Sequence, residues 1–478
     1  MSIDFPRARR APALLLALAL AAAPATARAA DGASTALGVR ADRAVMSRAL
    51  MTALAKAHAN IPAFSRQTGM ACSVCHYQFP ALTPFGRLFK LNGYTMTGIS
   101  AIVAPTDTSS DPSLKLLKIP PMAAMFVGDV ASTAKAVPGT QNNSVQFPDQ
   151  ASLFVGGAIT PNLGVFSQFT YAAADGTFGV DNIDLRYAKT HELGSHSVLF
   201  GLTLNNNPTV QDVWNTVPAW GWPFMGSEAV PSPAAASVID GSLGQAVVGL
   251  GAYTLLDNKL YTEFDLYRSS PQGAAYPLDS TAAGTTEGVA PYWRVAWQQP
   301  LDQDYLMVGT FGMHSQLYPT GVTGATNQFT DVGVDAQYEH PTGAGAVIGR
   351  ATYIHESQNR VADFVAGAAQ QHDNLSTFRA NLSLATSLNY GASLGYFQTT
   401  GTTDASLYAP DPVDGSNSGS PNSQGFVGEL TYNVWQNVRL GLQYTAYTKF
   451  NGAGSNYDGF GRSASDNNTL YLYTWLAF

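Results

Sequence analysis

Residues Asn437–Phe450 read NVRLGLQYTAYTKF. Val438, Leu440, Leu442, Tyr444 and Ala446 alternate with Arg439, Gly441, Gln443, Thr445 and Tyr447. That period of two belongs to a strand with one apolar and one largely polar face. From Thr330 the pattern repeats, with Val332, Val334, Ala336 and Tyr338 set against Asp331, Gly333, Asp335, Gln337 and Glu339. Further segments of this kind start near Ala151, Leu163, Asn182, His196, Gln245, Asn258, Pro291, Asp304, Gly345, Thr377, Asn389 and Gly425. With a first strand near Ile119–Val130 and a last one at Thr469–Phe478, about sixteen strands are expected, the even number that bacterial outer-membrane barrels carry.

The connections support a barrel. Short ones (Pro161-Asn162, Asp257-Asn258, Asp302–Asp304, Pro341–Gly343) alternate with long polar ones (Asn205–Leu243, Pro271–Ala290, Gln358–Asp373, Thr399–Ser423). Short turns on one rim and long loops on the other are the outer-membrane pattern. Tyr292, Trp293, Trp297, Tyr444, Tyr447, Tyr471, Tyr473 and Trp475 sit near strand ends and are expected to form interfacial girdles. Phe478, with Leu476, Leu472 and Leu470 on its face, reads as the terminal strand that barrel assembly machinery recognises. A secreted β-sandwich is the competing all-β reading.

Composition agrees. Only 12% of the 478 residues are charged, about half the usual share of a soluble domain. No run of 18 apolar residues follows the first thirty positions, so closed strands are the way left to satisfy the backbone in lipid. Two cysteines exclude a disulfide scaffold. A net charge of −8 argues against nucleic acid and is compatible with cations.

Residues 1–29 read as a secretory signal peptide. Arg7, Arg9 and Arg10 precede the apolar core Ala11–Ala23, and Ala27-Arg28-Ala29 supplies the small-x-small cleavage pattern.

Both cysteines fall in Cys72-Ser73-Val74-Cys75-His76. In C-x-x-C-H the two thiols attach a haem covalently and the histidine ligates its iron. A thioredoxin-like C-x-x-C would need a βαβ context, and zinc would need further ligands. Met96, twenty residues beyond His76, is the first candidate for the sixth ligand. Met122, Met125, His58 and an open position remain alternatives, while Met70 precedes Cys72 on the proximal segment. Residues 41–59 have helical character. Arg66, Arg87 and Lys90 are positive charges expected near haem propionates, and Phe64, Phe79, Phe85 and Phe89 are expected to wrap the macrocycle.

The stretches Ala63–Met70 (AFSRQTGM), Cys72–His76, Phe79–Thr83 (FPALT) and Phe85–Tyr94 (FGRLFKLNGY) resemble the fused cytochrome–porins. These are outer-membrane proteins with an N-terminal monohaem c-type cytochrome and a C-terminal barrel, best known from Fe(II) oxidisers. The resemblance implies a small α-helical cytochrome plug at or within the mouth of a barrel. It implies residues 30–110 as the cytochrome domain and 111–478 as the barrel, with Cys72 and Cys75 the attachment sites and His76 the proximal ligand. It also implies a Gram-negative outer-membrane location, an extracellular reductant such as Fe(II), and a periplasmic c-type cytochrome as electron acceptor. The activity would be an iron:cytochrome one-electron transfer. A diffusion porin with an accessory haem domain, electron export in the reverse direction and a haem enzyme are the alternatives. Asp331, Asp335 and Glu339 are lumen-facing acids that would attract a cation. The loop Asn205–Phe224, with three tryptophans, is expected to cover the outer mouth or dock a partner.

Overall fold

The computed structural model describes residues 62–95, 121–173, 176–220, 223–227, 229–270, 278–386 and 389–478. The signal peptide, the 41–59 helix, the boundary between residues 110 and 111, His58 and Met96 lie outside them.

The alternating segments form one antiparallel sheet that closes on itself. Its strands are β3 (Met122–Thr133), β4 (Ser144–Thr160), β5 (Leu163–Ala172), β6 (Thr177–Leu193), β7 (His196–Asn205), β8 (Val247–Leu256) and β9 (Leu260–Ser269). After a two-residue β10 (Thr285–Thr286) come β11 (Ala290–Leu301), β12 (Asp304–Tyr318), β13 (Asn327–Thr342) and β14 (Gly345–Asn359). The circuit is completed by β15 (His372–Thr386), β16 (Tyr390–Gly401), β17 (Ser423–Trp435), β18 (Val438–Lys449) and β19 (Thr469–Ala477). Each pairs with the next; β9 pairs with β11 across β10, and β19 returns to β3. Setting β10 aside, sixteen strands close the barrel, so the described barrel presents no unpaired strand edge.

The short turns take the chemistry that their sequence offers. Between β8 and β9, Asp257 and Asn258 adopt φ of 51° and 55°, a left-handed region that Asp and Asn tolerate better than most residues. The turn expected at Pro341–Gly343 falls slightly later, because Pro341 and Thr342 still pair with Ala346 and Gly345.

The two faces are inverted relative to a soluble protein. On β13, Val332, Val334 and Tyr338 are 48%, 53% and 41% exposed, while Asp331 and Glu339 are each 1% exposed. Leu382, Leu394, Leu430 and Leu442 are likewise exposed on their strands. Aliphatic residues outside and charges inside are what a barrel in lipid requires. The aromatic expectation divides. Trp297 and Tyr444 face outward, but Tyr292, Tyr471, Tyr473 and Trp475 are buried inside. Alternation decides the face, and these four occupy inward positions. No helix among the described residues is long and apolar enough to cross a membrane.

Two pieces of chain fold into the lumen. Residues 62–95 form helices α1 (Ala63–Thr68), α2 (Cys72–Cys75) and α3 (Pro84–Leu91), with a small ribbon of β1 (His76–Gln78) and β2 (Ala81–Leu82) between the last two. Bonds from all round the wall hold this unit. Gln67 donates to the Gly156 carbonyl, Tyr94 to Asp184, and Arg87 and Tyr77 to Glu339, at 2.5–2.7 Å. Tyr253 and Arg439 of the wall donate to the carbonyls of Leu91 and Phe79. Most of these wall residues lie near the short-turn ends of their strands. The connection from β7 to β8 enters from the long-loop side, with Val210, Val213, Trp214 and Val217 all buried. It is therefore an internal obstruction, not the outer lid expected for Asn205–Phe224.

Candidate cofactor site

The geometry of the in-folded unit follows from few residues. Gly69, at φ 70°, ends α1, and Ser65 Oγ lies 3.5 Å from Cys72 Sγ. Thr83 is the N-cap of α3. Its hydroxyl accepts from Gly86 N at 3.1 Å and donates to the Val74 carbonyl at 2.6 Å, while Pro84 occupies the first turn, where no donor is lost. A Cβ on Gly86 would stand 2.1 Å from the Cys75 carbonyl oxygen. Glycine is thus what lets α3 lie against the turn that carries both cysteines.

Cys72, Cys75 and His76 line a single cavity of about 440 Å³, within the range of cofactor-sized sites. Phe64, Phe79, Phe85 and Phe89, the four phenylalanines singled out from sequence, line it too. The barrel contributes Met125, Phe154, Phe166, Arg439 and Trp475, and the in-folded loop contributes Trp220 and Met225. His76 packs against Phe79 with ring centroids 4.2 Å apart and planes tilted by 36°, and Phe79 against Trp475 at 5.1 Å and 32°. An aromatic path from the wall therefore orients the imidazole.

The electrostatics suit a ligand to a metal. Burial, partly offset by the nearby Pro80 carbonyl and reinforced by Arg439, lowers the His76 pKa to about 4. The ring is neutral at ordinary pH, as ligation needs. Its Nδ1 is buried and makes no hydrogen bond of normal geometry. Both cysteines are free thiols, and burial, then Cys72, raises the Cys75 thiol to about 11.

Of the three cations singled out from sequence, one lines the cavity. Lys90 lines the cavity, 4.8 Å above the Trp220 ring and 4.0 Å from Asp184. Arg87 is drawn away into a buried pair with Glu339, and Arg66 donates to the Met122 carbonyl; neither lines the cavity. Arg439 does, and its signal in the sequence was a lone arginine on the inward face of β18. Met122 is 44% exposed, whereas Met70, Met125 and Met225 border the cavity. The three lumen acids are committed to packing. Glu339 holds Arg87 and Tyr77, Asp335 holds Arg294 and Thr216, and Asp331 accepts from Ile239 N. They dock the in-folded pieces and do not line an open water channel.

A closed sixteen-stranded barrel with an apolar outer belt and a charged interior is an outer-membrane barrel of the porin type, in contact with membrane lipid. No protein-family model and no curated protein matches the chain. Among solved structures, an anion-selective porin from Comamonas acidovorans is 12% identical, covering 75% of this chain and 98% of that one, with a TM-score of 0.45. The outer-membrane channel DcaP of Acinetobacter baumannii is 11% identical over 75% and 96%, at 0.42. OmpT of Vibrio cholerae, in its trimer form, is 10% identical over 75% and 98%, at 0.41.

Proposed function

We propose that the protein is an outer-membrane electron-transfer barrel carrying one covalent haem c, which passes single electrons between an extracellular donor, Fe(II) foremost, and a periplasmic c-type cytochrome. The observation that carries this reading is the convergence of Cys72, Cys75 and His76 on one largely apolar cavity between the in-folded unit and the barrel wall. A haem bound there supplies reversible one-electron Fe(III)/Fe(II) chemistry.

The residues of the chain do the rest. Cys72 and Cys75 offer two thiols one helical turn apart for covalent attachment, and His76 presents a neutral imidazole held by Phe79. Phe64, Phe85 and Phe89 give the cavity apolar walls, and Lys90 and Arg439 offer positive charge to an anionic edge. The in-folded unit and the β7–β8 connection occupy the lumen from opposite sides, which favours a conduit over a diffusion pore.

Two measurements test this. Purified protein should show one covalent haem per chain by pyridine haemochrome, absent in Cys72→Ala and His76→Ala although both keep the heat-modifiable gel shift of a folded barrel. Ferric protein mixed anaerobically with Fe(II) should develop a ferrous α-band; no reduction between acid and neutral pH would remove iron as donor.

A further inference from the structure

On β3, inward side chains alternate from Ala123 to Ala131, so Met125, which borders the cavity, and Asp129 share a face. Asp129 lies four residues farther toward the long-loop rim, roughly 13 Å along the strand at 3.3 Å per residue. It is 4% exposed, and its carboxylate meets Asp149 and the Tyr471 hydroxyl at hydrogen-bonding range, although neither contact has normal hydrogen-bond geometry. A buried carboxylate satisfied only by such contacts keeps acceptor capacity for a water or an ion.

Its neighbours are also oxygens. Gln146 is its direct cross-strand partner on β4 and has a buried, unbonded Oε1, and paired side chains of this kind stand about 5 Å apart. The register shifts between Val127 and Asp129, and the extra residues on β4 bring Asp149 to face the Asp129 carboxylate. The Tyr471 hydroxyl lies beside them, buried and without a hydrogen bond of normal geometry. Two carboxylates, an amide oxygen and a phenol thus converge on one place.

Asp149 also lines a second, polar cavity of about 340 Å³, together with Asp181, Gln150 and Thr170. Among the described residues that line that cavity there is no Lys or Arg, and it shares Gln150, Asp181 and Gly226 with the cofactor cavity. Its strand residues come from the long-loop ends of β4, β5 and β6. No group of three His, Cys, Asp or Glu among the described residues converges as a complete metal shell, so water would have to fill the remaining positions.

We propose that Asp129, Asp149 and Gln146 hold a hydrated, oxygen-preferring divalent cation on the long-loop side of the cofactor cavity. A partly aqueous shell suits exchange over permanent binding. The site's role in donor delivery rests on the electron-transfer reading. There Asp129, Asp149 and Gln146 would hold a reducing cation beside the cofactor cavity, and a cofactor bound in that cavity would supply the one-electron acceptor.

The site is tested without reference to haem. Redox-inert Mn(II) is titrated into the full-length protein in detergent and the free aquo-ion EPR signal is followed. One saturable site is expected, weakened at least tenfold in Asp129→Asn and in Asp149→Asn, with the barrel's gel shift unchanged. Equal Mn(II) binding in wild type and Asp129→Asn would overturn the proposal and leave a shared proton as the explanation. Absence of saturable binding at millimolar Mn(II) would overturn it as well. If haem is present, Mn(II) should also slow haem reduction by Fe(II) but not by neutral hydroquinone; unchanged Fe(II) kinetics would remove the delivery role alone.

Discussion

Lys90 is a charged residue placed where a charge is costly. It is 5% exposed beside an apolar cavity, and burial, then Arg186, lowers its pKa to about 7 against the pull of Asp184, Asp212 and Glu263. Between about 7 and the ordinary lysine value the unfolded chain binds a proton that the folded one releases. The Lys90 contribution to the stability of the in-folded unit therefore rises with pH across that window and is flat below it. Lys90→Met should abolish that part of the pH dependence, each tenfold weakening of proton binding on folding being worth about 1.4 kcal/mol. Denaturant melts of wild type and variant followed by near-UV CD at pH 6 and pH 8.5, below the range in which the Cys75 thiol titrates, check this. Gly86 makes a second prediction at this scale. Because alanine there would meet a backbone oxygen at 2.1 Å, Gly86→Ala should separate α3 from α2 and lose covalent haem while leaving the barrel's gel shift. Normal haem content in that variant would show that the contact is dispensable.

At the scale of elements, α3 is joined to β13 by Arg87 and Glu339, 2.5 Å apart with side chains 3% and 1% exposed. Removing one member of a fully buried pair leaves an uncompensated charge and costs roughly 3–5 kcal/mol, whereas replacing both with apolar groups is often neutral. Arg87→Met should thus expose the 62–95 segment to trypsin, and Arg87→Met with Glu339→Leu should restore most of the protection. Equal susceptibility of the single and double variants would mean that the ion pair does not hold the unit. Glu339 also illustrates what an element's sequence conceals. Its alternation on β13 placed it in the lumen, but its partners sit 252 and 262 residues away.

At the scale of the molecule, the lumen is filled from two directions. The β7–β8 connection packs Val217, Val238, Ile239 and Leu243 against Tyr267, Tyr292, Phe311 and Ile354 of the wall. A sixteen-stranded barrel left open would hold an aqueous channel. Single-channel conductance in planar bilayers should therefore fall well below that of an open porin of equal strand number. Conductance at ordinary porin levels would favour diffusion as the function. Deleting residues 211–240 should open the long-loop side and raise the conductance.

The barrel was legible because its rule is local. Asp331 to Glu339 alternate with Val332 to Tyr338 whatever the rest of the chain does, and fourteen internal segments repeating that pattern, with one strand at each end, require closure in lipid. That Cys72, Cys75 and His76 act together was legible for a similar reason, since they fall within five residues of chain and so reach one cavity. What the cavity-lining cations are, by contrast, only tertiary structure decided. Arg66, Arg87 and Lys90 look alike in sequence, but Arg87 meets Glu339, Lys90 meets Trp220, and Arg439 arrives from the opposite end of the chain. The converging oxygens of Asp129 and Gln146 are of the same kind, because a register shift on one strand of a closed sheet brought Asp149 to face them. Period-two patterning and a five-residue motif are properties of neighbours along the chain; pairing across a lumen depends on which inward positions meet, and that is settled only when the barrel closes.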